Sequence, residues 1–262
     1  MPQDPALLVV SETDLSNPAA RIRPYGDDGR HKTQQVASMF DGIAHRYDAL
    51  NTIISLGLDR RWRRRALAML ATAKPQSVLD VATGTGDLAI EMDRILRPAL
   101  IVGVDLSEEM LSLARRKTES DESIGARLEF RQADTARLPF AQDTFDAVTV
   151  SFGVRNFEHL QASLTEMVRV LRPGGHCMIL EFSTPRKPLV MIGHTLALTV
   201  FVPLVGRLLS KDPAAYRYLP KSVAAFPQGE KFAAIMLAAG CAQVVTNTLT
   251  PGVCTVYVGK KP

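Results

Sequence analysis

Residues 80–105 hold a small set of side chains at a spacing suited to a ribose-bearing cofactor. The run "VLDVATGTGDLA" sets an apolar strand against a glycine turn and then a helix. Gly84 and Gly86 lack Cβ atoms, so backbone can approach a ligand closely, and the following helix offers free N–H groups. Asp105 ends the next apolar run about 20 residues later, where a carboxylate can accept both hydroxyls of a ribose. Taken alone, G-x-G-x-x-A followed by an acidic residue also fits a nicotinamide-dependent dehydrogenase, or a plain strand–turn–helix with no ligand.

Three features separate these readings. Asp80 lies at the end of the first strand, where it can reach the amino group of an amino-acid-bearing cofactor. "QADTARLPF" puts Asp134 and Thr135 at the end of the third strand, beside where an adenine would lie. "AQVVTNTL" and "VCTVYVGK", joined by "TPG", predict an antiparallel terminal hairpin, which suits methyltransferases better than dehydrogenases. Together they favour S-adenosyl-L-methionine, whose cationic sulfonium and lack of phosphate suit an acidic, glycine-lined cleft.

A second group with chemistry to offer is "SFGVRNF", residues 151–157, at the end of an apolar strand. Arg155 either makes a surface ion pair or faces a ligand at the working edge of a sheet. Its guanidinium stays charged, offers several N–H donors in a plane and cannot serve as a base. His194 reads as a packed histidine rather than a base. The five arginines of "DRRWRRR" (59–65) invite a nucleic-acid or anionic-lipid reading. On a helix they spread around the axis and form a solvated face, so no nucleic-acid partner is expected.

The elements that must position these groups are legible in the periodicity. Residues 33–70 read as helices. From residue 76, strands at 77–82, 100–106, 127–134, 144–152 and 176–182 alternate with helices at 87–96, 108–118 and 159–171. Such alternation implies a mostly parallel sheet with helices on both faces. "EKFAAIMLAAG" (230–240) is a further helix before the hairpin. Residues 1–32, polar and rich in Asp, Pro and Arg, read as a flexible extension to a single domain over 33–262.

The whole-chain figures exclude several classes. At 262 residues, with 46% hydrophobic and 22% charged residues, the composition is that of an ordinary globular protein rather than a disordered one. A net charge of +4 permits anionic partners without demanding them. Cys177, Cys241 and Cys254 have no CxxC spacing, which argues against a disulfide framework or a zinc site and for a reducing, cytoplasmic setting. The first residues lack the basic start and long apolar core of a signal peptide. "LVMIGHTLALTVFVPLVG" (189–206) sits at the lower edge of bilayer-spanning length, and Pro203 weakens a spanning reading.

"MFDGIAHRYDALNTIISLGLDRRWR", "LDVATGTGDLA", "DLSEEML", "LPFAQDTFDAVTVSFGVRN", "RVLRPGG", "EFSTP" and "YRYLPKSVAAFP" together resemble the demethylmenaquinone/ubiquinone-precursor C-methyltransferases, from about Val36 to the C-terminus. The resemblance implies a Rossmann-like class I methyltransferase fold with seven strands, and cofactor contacts at Thr85, Asp105, Asp134, Thr135 and Ser151. Asp134-Thr135 departs from the Asn-Ala often found there, and an aspartate can still accept an adenine amino proton. It further implies methyl transfer to a ring carbon of a polyprenyl quinol, naphthoquinol or benzoquinol, with Arg155 stabilising the quinol oxyanion. Asn156 would fix a water, Asp48 or Tyr47 would complete the pocket, and Tyr216, Arg217 and Tyr218 could line it. Residues 183–229 are then expected to cover the acceptor, with 189–206 as a lid touching the inner face of the membrane.

Overall fold

The computed structural model describes residues 17–119, 124, 127–209 and 212–262. Two helices come first, α1 (Lys32–Ser55) and α2 (Leu58–Ala71). The alternating region follows as β1 (Ser77–Val81), α3 (Asp87–Ile95), β2 (Leu100–Asp105), α4 (Glu108–Glu119), β3 (Leu128–Gln132), β4 (Phe145–Ser151), α5 (Leu160–Val170) and β5 (Leu171–Phe182). The chain then runs through α6 (Pro188–Leu196), α7 (Val202–Leu209), α8 (Pro213–Ala225) and α9 (Glu230–Ala238) into β6 (Gln243–Leu249) and β7 (Cys254–Lys260).

The seven strands form one sheet in the order β3-β2-β1-β4-β5-β7-β6. β1 pairs in parallel with both β2 and β4, and β7 is antiparallel to β5 and β6. The central strands are apolar at successive positions because both faces are covered. Leu79, Val81, Val148 and Val150 point into one core with α5 and α9, while Val78, Ile101 and Ala147 point into another with α2 and α3. The chain leaves β1 in one direction along the sheet and later returns to β4 on the other side. The cleft where it divides, at the C-terminal strand ends, is where ligands bind in open sheets of this kind.

The start of the chain differs from expectation. Residues 1–16 lie outside the described residues, but 17–32 do not behave as a flexible extension. A short 3-10 turn, Pro18–Arg21, packs Ala19 into the main core with no exposed surface. Asn17 Nδ2 donates to the Phe157 carbonyl, and Gln35 Nε2 donates to the Gly26 carbonyl. Polarity hid this because the segment is held by hydrogen bonds and one small buried side chain rather than by an apolar stripe.

The apolar segment 188–206 is also more particular than its composition. Pro203 has no N–H to donate backward, and the helix widens into a π-type turn over Ala197–Phe201 just before it. Val202 and Val205 are buried in a third cluster with Met39, Ile43, Tyr216 and Tyr218, from α1 and α8. The preceding half is not covered: α6 has no buried residue, and Leu189, Ile192, Leu196 and Val200 are largely exposed.

Gly153 tests the packing at the cleft. A Cβ there would lie 2.7 Å from the Ala82 Cβ and 3.2 Å from a Val150 methyl, neither of which can swing away. Gly153→Ala should therefore lower unfolding free energy by about 1–3 kcal/mol in urea titration, with the denaturant slope unchanged.

Candidate active site

Both strands that border the cleft end in residues with left-handed backbone. Ala82 (φ 52°) follows β1 and Phe152 (φ 58°) follows β4. Non-glycine residues adopt this region at a cost and persist in it only where the surroundings enforce it. The bends turn both chains away from the sheet and open a cleft of about 750 Å³, lined by Gly84, Asp105, Asp134, Thr135 and Ser151 among others.

Several of these groups are already oriented. Asp105 is half-buried and accepts from the Gly84 N–H at 2.8 Å and the Ser107 N–H at 3.0 Å. Burial raises its pKa, and those backbone donors oppose the rise. Asp134 accepts from the Ala136 N–H at 2.9 Å, and Thr135 Oγ1 lies 3.0 Å from Ser163 Oγ. Gly84 (φ 58°) and Gly86 (φ 79°) take the left-handed turn between β1 and α3. A Cβ on Gly84 would meet only the Tyr47 ring, at 4.0 Å, so the space above this turn is open cleft. Ser151 Oγ is buried there without a partner among the described residues.

The cleft continues into a small polar end lined by Asp80, Thr85, Ser151, Asn51 and Arg63. Asp80 lies there as expected, with each carboxylate oxygen taking one threonine hydroxyl, Thr83 at 2.6 Å and Thr149 at 2.6 Å. Burial pushes its pKa up to about 6 against those two donors. Thr85 Oγ1 donates to Asp48 Oδ1 at 2.6 Å and accepts from Lys117 Nζ at 2.9 Å. Asp48 is accordingly engaged with the cofactor turn and Lys117, and it borders a separate polar cavity rather than the acceptor pocket where it was expected.

A second, largely apolar pocket of about 720 Å³ adjoins the cleft, and Tyr47 and Phe152 line both it and the two parts of the cleft. Its wall includes Met39, Ile43, Phe182, Tyr216 and Tyr218, with Arg155 and Asn156 at its edge. Arg155 is buried in an ion pair: Nη1 donates to Glu181 Oε1 at 2.8 Å and also to the Phe152 carbonyl. Its guanidinium lies 5.5 Å from the Phe182 ring centroid, and its Nε has no partner among the described residues. Asn156 Oδ1 accepts from the Tyr218 hydroxyl at 3.0 Å. Arg217 is not among the residues lining this pocket.

The sequence model of the ubiE/COQ5 methyltransferase family matches residues 29–261. The chain belongs to that family. It is 44% identical over 247 residues to a demethylmenaquinone methyltransferase of Bacteroides fragilis, covering 94% of this chain and all of the relative. It is also 44% identical over 231 residues to the ubiquinone/menaquinone biosynthesis C-methyltransferase UbiE of Geobacter sulfurreducens, covering 88% and 90%. A SAM-dependent methyltransferase structure from Thermotoga maritima shares the fold, with a TM-score of 0.60 at 18% identity over 86% of this chain and 99% of that one. The chain is thus a class I, Rossmann-like methyltransferase, and S-adenosylmethionine is its cofactor. The open turn above Gly84, the unpaired Ser151 hydroxyl and the half-buried Asp105 fit that cofactor's ribose and sulfonium.

Three features of the methyltransferase escaped sequence reasoning. Glu181, within "EFSTP", is fully buried and pairs with Arg155 across β5. Arg63 is no part of a solvated face, since it is buried and paired with Asp59 at 2.6 Å and Asp87 at 3.1 Å. The i,i+4 spacing of Asp59 and Arg63 was the available signal. Lys32 is fully buried, and its ammonium donates to the Ala19 carbonyl at 2.7 Å and the Arg155 carbonyl at 3.2 Å.

Burial, with the neighbouring Arg155 charge, lowers the Lys32 pKa to about 8 from 10.5. Its folded pKa lies below the unfolded one, so between these values the unfolded chain binds more protons and stability rises with pH. The unfolding free energy of the wild type relative to Lys32→Met should grow by about 1–3 kcal/mol from pH 8 to pH 10.5, read from paired denaturant titrations.

Proposed function

We propose that this enzyme methylates a ring carbon of demethylmenaquinol, giving menaquinol, within the apolar pocket beside the cofactor cleft. The observation that carries this reading is the shared wall: Tyr47 and Phe152 border both cofactor and acceptor spaces, so a methyl group can pass between them without leaving protein. The names of both relatives agree with it, and the Geobacter sulfurreducens name also keeps a benzoquinol of ubiquinone synthesis as a second substrate class.

When bound, the cofactor supplies an electrophilic methyl on sulfur; the sulfur departs as the neutral thioether, and the ring carbon that gains the methyl gives up its proton to water. What the protein adds is alignment and electron density at the attacking carbon. A quinol hydroxyl titrates near pH 10 by analogy with tyrosine, and its oxyanion pushes charge onto the ring. Arg155 Nε, an unpartnered buried donor at the pocket edge, suits that oxygen. Glu181 offsets the arginine's charge, so the contribution is a directed hydrogen bond rather than a bare cation. Asn156 has its carbonyl oxygen committed to Tyr218 and its amide N–H groups left to orient the acceptor or a water.

The exposed apolar face of 188–201 supports contact with the cytoplasmic membrane surface. The helix Pro188–Gly206 has a mean hydropathy of 2.0, with most of its surface uncovered. A polyprenyl tail drawn into water would cost about 0.8 kcal/mol per CH₂, so an enzyme that keeps the tail in lipid avoids that term. Because α7 packs on α1 and α8, which line the acceptor pocket, the same segment can roof the head group.

Methyl transfer from labelled S-adenosylmethionine should be seen with reduced demethylmenaquinone, and comparison with a benzoquinol precursor ranks the two substrates. The double change Arg155→Gln, Glu181→Gln keeps the buried pair uncharged and should lower kcat about 10²–10³-fold with cofactor binding retained. Full turnover in that variant would remove Arg155 from the mechanism. Changing Leu189, Ile192, Leu196 and Val200 to serine should reduce flotation with lipid vesicles and depress activity on long-tailed quinols more than on short-tailed ones. Equal losses on both substrates would sink the lid.

A further inference from the structure

The polar end of the cleft contains one cation with unused donor capacity. Arg63, on α2, is 93% buried by its 7% exposure, and its Nε has no partner among the described residues. Its contacts to Asp59 and Asp87 both run through Nη2. Among the described residues lining this end of the cleft, Arg63 is the one cationic side chain; Asp80 and Asp87 are the carboxylates. A buried donor left unsatisfied is costly, which makes it a marker for a missing ligand.

The charge pattern around Arg63 narrows what that ligand is. Asp59, Arg63, Asp87, Lys117 and Asp48 form an alternating chain of pairs, three anions and two cations, carrying a net charge of −1. Asp87 is shared between Arg63 and Lys117, so Lys117 relieves Arg63 of part of its neutralisation. Such a site suits a zwitterion that brings one carboxylate for the arginine and an ammonium for the acids. A cofactor that also carries a sulfonium has a total charge of +1, equal and opposite to the network.

We propose that Arg63 binds the α-carboxylate of the cofactor's amino-acid end, with Asp59 and Asp87 holding its guanidinium in place. The assignment rests on S-adenosylmethionine being the cofactor. It gives "DRRWRRR" a reason for placing one arginine inward: Trp62, its neighbour, is buried and donates to Thr250 Oγ1 at 2.6 Å, which sets the rotation of α2. Arg63 also lines the acceptor pocket, so the anchor sits where the two ligands meet.

Isothermal titration of the full chain with three ligands tests this without turnover: S-adenosylmethionine, its decarboxylated analogue, and methylthioadenosine, which lacks the amino-acid end. The wild type should prefer S-adenosylmethionine to the decarboxylated analogue by roughly 10- to 100-fold. Arg63→Gln should reduce that preference to within about threefold and leave methylthioadenosine binding unchanged. The double change Asp59→Asn, Arg63→Gln, which avoids an unpaired buried carboxylate, should behave the same way, and retained methylthioadenosine binding reports a folded cleft. An undiminished preference in either variant overturns the assignment, as does a parallel loss for all three ligands, which marks a purely structural role. A wild type that binds none of the three would refute the cofactor reading and the anchor with it.

Discussion

The buried pair between Arg155 and Glu181 organises this molecule around its cleft. Glu181 sits near the end of β5, and Arg155 on the short turn after β4, so the pair ties together the C-terminal ends of two neighbouring interior strands. The Arg155 backbone takes part as well, because its N–H donates to Glu181 and its carbonyl accepts from Lys32. Through Lys32 the same node holds α1 and the Pro18–Arg21 turn. A buried ion pair contributes little net stability against apolar packing, but losing one partner strands the other charge at about 3–5 kcal/mol. Its value is therefore geometric: only one arrangement of β4, β5 and α1 satisfies it.

That node determines what surrounds the reacting space. The turn after β4 takes the left-handed bend at Phe152, with Ser151 lining the main cleft and Asn156 lining both that cleft and the second pocket. α1 crosses the cleft with Tyr47 between the two pockets, and α8 supplies Tyr218 to hold Asn156. The network from Asp59 to Thr85 plays the matching part on the other flank, linking α2, the cofactor turn and α4 by charge rather than by apolar contact.

The polar anchors also explain where reading the chain residue by residue succeeded. Strands such as "SVLDVA" and "TFDAVTVSF" are short, β-branched and bounded by turn residues, so their type and order were plain. Gly84, Asp105, Asp134 and Ser151 lie at strand ends, where the topology of a parallel sheet brings them together without further information. Asp48 and Arg63 are harder to place from sequence because they sit on helices, where a charged residue facing inward looks the same as one facing water.

Local sequence is enough to give the alternating order of elements, the glycine turn after β1, the acidic strand ends and the apolar segment before α8. These follow from local periodicity and from backbone conformations that only certain residues tolerate. Only packing in three dimensions sets Glu181 against Arg155, brings Asp48 to Thr85 rather than into the second pocket, turns Arg63 inward and leaves half of 188–206 uncovered. These partners are distant along the chain: Arg155 and Glu181, or Lys32 and Arg155, are neighbours only because separate segments pack together.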